Sequence, residues 1–256
     1  MSHPDSVWRV AAMAARGARH EKSGGPCQDS HGWRAWPNGM LAIAVADGAG
    51  SASLSEVGSA VAVQTALGFI HKTLPTPVPR EKSLWRAWLG QTMQIARGAV
   101  VAEAMSRHRP LRDLATTLLL ILASRDLAVA AQVGDGAAVI NGPGAALEAL
   151  TRPPSGGEYL NETLFLTSAE ALERVQYGVH DGPVRQLAAF SDGLQMLALK
   201  MPEGIPHGPF FNPLWRLVEP QTNPVAGSES LARFFKSPRL LERTDDDLTL
   251  VLAAPV

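Results

Sequence analysis

Acidic residues stand at the ends of four apolar segments. Asp47 closes Leu41–Ala46 (LAIAVA), Asp135 follows Leu127–Val133 (LAVAAQV), Asp192 follows residues 184–190, and Asp245-Asp246-Asp247 leads into residues 248–253 (LTLVLA). A carboxylate at the end of an apolar strand is held rigidly yet stays at the rim of the sheet, where a hard cation can be ligated by oxygen. In antiparallel pairing the end of one strand lies beside the start of the next, so Asp47 and Asp192 can adjoin Asp246 in one acidic rim. Carboxylates packed together repel one another, and divalent cations relieve that repulsion; a donor set of oxygens alone points to magnesium or manganese rather than zinc. Glycine after an acid, as at Gly48, Gly136 and Gly193, lets the backbone approach an ion, and the Gly48 carbonyl is the best placed to join the ligands. Taken singly, each Asp-Gly is an ordinary turn dipeptide and the acidic run an ordinary solvated strand start. It is their joint order that points to a site.

The elements that must position these acids follow from the hydrophobic pattern. An unbroken apolar run such as 41–46 suits a strand buried on both faces. Ser53 and Glu56 have the spacing of a capping box and open an apolar helix to about Lys72, which Pro75, Pro77 and Pro79 end. A second helix is predicted over 82–107, then a hairpin of 116–123 with 127–133 around Ser124-Arg125-Asp126. Residues 141–157 read as a Gly- and Pro-rich loop around a short strand near Leu147, closing at Glu158. A weak strand over 164–167, a short helix over 169–175, a strand over 184–190 and a helical start over 194–199 come next. Six prolines make 202–224 an irregular connection, after which 228–235 is helical and 248–253 a buried strand.

Composition sets the bounds. The 256 residues are 46% apolar and 18% charged, enough to fill and cover a core, and one domain over 1–256 is the simplest organisation. A formal charge of −1 leaves no net field to hold a nucleic acid. The single cysteine, Cys27, forbids an internal disulfide and any thiolate-built zinc or iron–sulfur site within one chain, which fits a reducing, cytoplasmic setting. The first nine residues carry His3, Pro4, Asp5 and Arg9 rather than an apolar block, and no stretch is long enough to span a bilayer, so a soluble protein without membrane partners is expected. The histidines show no paired metal-ligand spacing, and Trp33, Trp36, Trp85, Trp88 and Trp215 sit at or near apolar segments as core or cover residues.

In order, Gly25-Pro26-Cys27-Gln28-Asp29, Ala46-Asp47-Gly48, Ala115-Thr116-Thr117, Gly134-Asp135-Gly136, Ser191-Asp192-Gly193 and Asp246-Asp247-Leu248-Thr249 resemble the motifs of the PP2C-type metal-dependent Ser/Thr protein phosphatases, bacterial members above all. The resemblance implies an α+β fold, a four-layer α-β-β-α sandwich of two antiparallel sheets flanked by helices. It also implies Mn2+ or Mg2+ as cofactor, two ions and a third weaker one, which activate a water for in-line attack on a phosphorylated protein. Asp47 resembles the acid bridging the first two ions, Gly48 the adjacent carbonyl ligand, and Asp192 and Asp246 the acids completing the first ion. Gln28 and Asp29 fall on the pair near the second ion, and Asp135, with Asp192, on the third. No protein nucleophile is implied, in agreement with Cys27, which lacks the C-x5-R phosphate cradle and reads as a packed residue.

The chain departs from that pattern where substrate is handled. Gly24 stands where a phosphate-contacting arginine is expected, leaving Arg19, His20 or Lys22 as substitutes. Ala49 replaces a histidine found two residues after the bridging acid in many eukaryotic relatives, so leaving-group protonation would fall to bound water or to His20 as general acid. Gly136-Ala137 replaces a Ser-Arg pair. These losses keep two alternatives open: a pseudophosphatase serving as a phosphopeptide-binding or regulatory module, and a small-molecule phosphoesterase on the same fold. The oligomeric state has no signature in the sequence.

Overall fold

The computed structural model describes residues 7–74, 81–144, 147–154, 163–219 and 223–256. In chain order the elements are β1 (Trp8–Ala15), α1 (Ala18–Ser23), β2 (Ser30–Ala35), β3 (Leu41–Ala46), α2 (Ser55–Thr73), α3 (Lys82–Ser106), β4 (Leu118–Ala123), β5 (Leu127–Val133), β6 (Ala137–Asn141), β7 (Leu147–Thr151), β8 (Gln176–Asp181), β9 (Gln186–Phe190), α4 (Gln195–Ala198), β10 (Leu199–Lys200), β11 (Ile205–Pro206), α5 (Gly208–Trp215), α6 (Pro224–Phe235), α7 (Pro238–Leu241) and β12 (Leu248–Pro255). Two five-stranded sheets, ordered β1-β12-β9-β6-β7 and β2-β3-β4-β5-β8, are antiparallel throughout.

Side-chain alternation explains how the sheets stack. Along β3, Leu41, Ile43 and Val45 face the other sheet, while Ala42, Ala44 and Ala46 face α2 and α3. In β12, Val251 and Ala253 join the inter-sheet core, while Leu250 and Leu252 pack with Phe211, Trp215 and Leu231 of α5 and α6. Three apolar layers thus separate four layers of backbone: α2 and α3, one sheet, the other sheet, and α5 with α6. The fold is an α-β-β-α sandwich. Both faces of β3, β4 and β5 are covered, which is why β3 and β4 are unbroken apolar runs and β5 is apolar but for the buried Gln132.

The sheets meet closely at their β7 and β8 edges, where a Cβ built on Gly178 would lie 1.8 Å from the Leu150 carbonyl oxygen. Gly178→Ala is therefore expected to cost about 1–3 kcal/mol, read as a fall of several degrees in Tm; an unchanged Tm would show that the two backbones are not in contact.

Several predicted elements differ. Ser53 does not cap α2: its hydroxyl accepts a hydrogen bond from Arg109 Nη2 at 2.9 Å, and the helix begins two residues later behind Leu54. Residues 164–175 form turns instead of a strand and a helix, pinned by tertiary bonds such as Leu166 N to Thr116 O at 2.7 Å. Part of the irregular proline-rich connection is the helix α5, with Pro209 in its first turn, where a missing N–H costs nothing. The expectations for residues 1–6, for the break at Pro75, Pro77 and Pro79, and for loop closure at Glu158 lie outside the described residues. Among the described residues no helix is long and apolar enough to cross a membrane.

Candidate metal centre

Asp47 leaves β3 in a frame made by the Thr116–Thr117 backbone and hydroxyls. Its N–H donates to Thr117 Oγ1 at 2.9 Å, and its carbonyl accepts from Thr117 N at 2.8 Å and Thr116 Oγ1 at 3.0 Å. Gly48 N then donates to Gln28 O at 3.1 Å, an oxygen that also accepts from Ser59 Oγ at 2.6 Å. A Cβ at Gly48 would lie 2.7 Å from Ser55 O and 2.8 Å from Gln28 O, so only glycine lets these three segments close on Asp47.

Asp135 sits where the chain passes from β5 in one sheet to β6 in the other. Gln132 Nε2 ties this turn by donating to Gly134 O at 3.1 Å and Gly136 O at 2.7 Å, and Gly134 takes φ +116°, a conformation that favours glycine. Asp192 opens a single 3-10 turn immediately after β9. The acids therefore come from both sheets and meet at their common rim. Carboxylate oxygens of Asp47, Asp135 and Asp192 all lie within 4.8 Å of one another.

Such crowding sets the electrostatics. Burial, then the charges of Asp29, Asp192 and Asp135, push Asp47 well above the ordinary carboxylate range. Burial and the neighbouring Asp135 raise Asp192 to about 6, and burial raises Asp135. Asp29 is lifted to about 7, chiefly by burial, although Ser191 Oγ donates to its Oδ2 at 2.7 Å. Among the described residues, Asp29 Oδ1, Asp135 Oδ1 and Gln28 Oε1 are buried without a hydrogen-bond donor. Buried, mutually repelling carboxylates with orphaned oxygens cost stability unless a cation meets them. Hard oxygen donors in this number fit Mg2+ or Mn2+.

The remaining candidates lie around this cluster. Asp246 stands at its edge: its charge acts on Asp135 and Asp192, and its two oxygens accept from Arg19 Nη2 at 3.0 and 3.1 Å. Arg19 is half-exposed on α1, and its guanidinium also lies over Gly50, 3.1 Å from where a Cβ there would sit. Lys22 is exposed on the same short helix. His20 is placed differently from the expected general acid. Its side chain is only 10% exposed, and Nδ1 lies 3.0 Å from Asp247 Oδ1, an electrostatic contact outside hydrogen-bond geometry that faces a buried carboxylate instead of the open rim.

Sequence reasoning missed Asp247, Ser191 and Thr163. Ser191 passes the position of β12 to Asp29, because its Oγ accepts from Thr249 N at 3.0 Å while donating to Asp29. Thr163 Oγ1 donates to Asp135 Oδ2 at 2.6 Å from a segment 28 residues away, a contact no local pattern reveals. Cys27 is partly buried: burial, then the charges of Asp247 and Asp29, push its thiol up to about 12. Trp85 and Trp215 are core residues and the other three tryptophans named above are half-buried.

Comparison with known proteins places this arrangement. "Serine/threonine-protein phosphatase 3" of Escherichia coli (strain K12) is 36% identical over 252 residues, covering 96% of this chain and 98% of the relative. A crystal structure of a bacterial serine phosphatase variant superposes with TM-score 0.68 at 16% identity, covering 98% of this chain and 100% of that one. The catalytic domain of the serine threonine protein phosphatase PstP, solved in complex with two manganese ions, superposes with TM-score 0.65 at 20% identity over 97% of this chain and 98% of its own. The family model for protein phosphatase 2C matches residues 16–236, so the chain belongs to the protein phosphatase 2C family.

Proposed function

We propose that this chain is a metal-dependent protein phosphatase that hydrolyses phosphoserine and phosphothreonine, with Asp47, Asp135 and Asp192, flanked by Asp29, Asp246 and the Gly48 carbonyl, holding its divalent ions. The observation that carries this reading is the convergence of three carboxylates, from both sheets, to within 4.8 Å. Mn2+ or Mg2+ held there supplies a water activated for attack and screening of the phosphoryl oxygens.

Around that chemistry the chain's own residues orient and bind. The Thr116–Thr117 frame fixes Asp47 through its backbone, and Ser191 and Thr163 orient Asp29 and Asp135 by single hydrogen bonds. Arg19 is the group suited to dock a phosphoryl oxygen pair: a planar, half-exposed guanidinium already at the rim on Asp246, able to exchange one oxyanion for another. Lys22 adds an exposed positive charge beside it. Burial disfavours the thiolate form of Cys27, which supports water as the nucleophile.

Pairing of β1 with β12 supports one catalytic domain over 1–256. The near-neutral charge weighs against a nucleic-acid partner, and the lone cysteine supports a cytoplasmic location. A phosphopeptide-binding module would have no need of buried, unpaired carboxylates, so the acid cluster weighs against a pseudophosphatase.

With Mn2+, phosphothreonine peptides are expected to turn over with kcat/KM at least roughly tenfold above nucleoside monophosphates, and chelation should abolish both activities. Rapid turnover of a nucleotide with every peptide inert would overturn the protein-phosphatase reading.

A further inference from the structure

Asp247 is the most enclosed acid of the 245–247 run, its side chain 2% exposed. Its Oδ1 accepts from Gly17 N at 2.7 Å and lies 3.0 Å from His20 Nδ1, while Oδ2 accepts from Gln28 N at 2.6 Å. These contacts join two stretches near the start of the chain, the entry into α1 with its first turn and the approach to β2, to the run entering β12, more than 200 residues later. Each stretch carries one residue to the rim, namely Arg19, Asp29 and Asp246. The backbones are pressed together at the same place. Arg19 N donates to Asp245 O at 2.9 Å, and a Cβ on Gly17 would lie 2.2 Å from Asp246 C. On the other side, a Cβ on Gly193 would lie 2.1 Å from Asp247 O. Both Asp247 oxygens are thus occupied within the protein, and neither is offered to the acid cluster.

We propose that Asp247, braced by His20, is a positioning residue: it sets the place of Asp29 against the Asp47–Asp135–Asp192 cluster and holds Arg19 at the rim. It governs cation affinity and phosphate docking while touching neither ligand. The carboxylate is needed because two amide N–H groups and a ring nitrogen converge on it, and an asparagine offers one oxygen to two amide donors. Residues that orient metal ligands from behind typically cost 10–100-fold in affinity when removed.

The proposal rests on the phosphatase reading, and its test separates the two. Mn2+ binding is measured by calorimetry, and kcat and KM on a phosphothreonine peptide, for wild type, His20→Ala, His20→Asn and Asp247→Asn, all well below Tm. An asparagine at position 20 can present a side-chain N–H where Nδ1 stands, so it should keep the brace. His20→Ala and Asp247→Asn are expected to weaken Mn2+ binding about tenfold and raise KM about tenfold, with kcat within roughly threefold, while His20→Asn stays near wild type. Lower Tm with unmoved Mn2+ affinity and KM would overturn the proposal in favour of a purely structural role. An equal loss of kcat in both His20 variants would overturn it in favour of proton donation. Should Asp247→Asn fail to fold, the two His20 variants decide the matter alone. Calorimetry needs no turnover, so an inactive wild type showing the expected affinity pattern would count against the phosphatase reading and not against the brace.

Discussion

Asp47→Asn is expected to lower kcat by about three orders of magnitude, or about 4 kcal/mol of transition-state stabilisation, and at the same time to stabilise the metal-free protein. The two effects have one cause. Asp47 is held in place by its own backbone N–H and carbonyl, so the substitution leaves its frame with Thr116 and Thr117 intact. What it removes is the negative charge at the centre of the cluster, where burial and Asp29, Asp192 and Asp135 already oppose ionisation. Relief of that repulsion should raise the Tm of the chelated protein at pH 8 by a few degrees, while the Tm gain that Mn2+ gives the wild type should largely disappear. Peptide turnover and thermal melts with and without Mn2+ read both halves. Near-wild-type kcat, or an undiminished Mn2+ response, would remove Asp47 from the ion-binding set.

Legibility in the sequence followed burial. Strands β3, β4, β5 and β12 are covered on both faces, so their composition alone marks them, and the acids at their ends could be read as a rim. Strand β2 is an edge strand with no fully buried residue, and β8 (QYGVHD) is an edge strand that is polar and partly exposed; neither carries a run for composition to detect. Strand β1 is interrupted by Arg9, whose Nη1 donates to Glu219 O at 3.2 Å. The site divides in the same way. Asp47, Asp135 and Asp192 are each a lone acid beside glycine at a strand end, whereas the 245–247 run offers three acids with nothing local to rank them. Tertiary contacts give Asp246 to Arg19 and Asp247 to the buried backbone, and only the fold shows which is which. A sequence cannot show that the His20 ring is enclosed against Asp247, so nothing in it marks His20 as other than free to act.

The second large effect is a pH dependence of stability that metal largely removes. In the chelated protein the folded state holds protons on the acid cluster more tightly than the unfolded chain does, since Asp29 is raised to about 7 and Asp192 to about 6 from an ordinary 3.8. Stability from such groups is complete below the unfolded value and is lost as pH rises through the folded one. Between pH 5 and pH 8 Asp29 alone accounts for a loss on the order of 3 kcal/mol, and Asp47 and Asp192 act in the same direction; the contributions of neighbouring acids that titrate together do not simply add. For a chain of this size that corresponds to a Tm roughly 6–12 °C lower at pH 8 than at pH 5. Saturating Mn2+ should offset most of that trend. Cation binding requires the ionised carboxylates, so its stabilisation, about 2.7 kcal/mol at a hundredfold excess over Kd, is greatest at pH 8 and fades as the cluster protonates. Melting curves at pH 5, 6, 7 and 8, with chelator and with Mn2+, test the sign directly. A metal-free Tm that climbs from pH 5 to pH 8, or an Mn2+ increment equal at both ends, would mean that these carboxylates are neither strained by one another nor relieved by a cation.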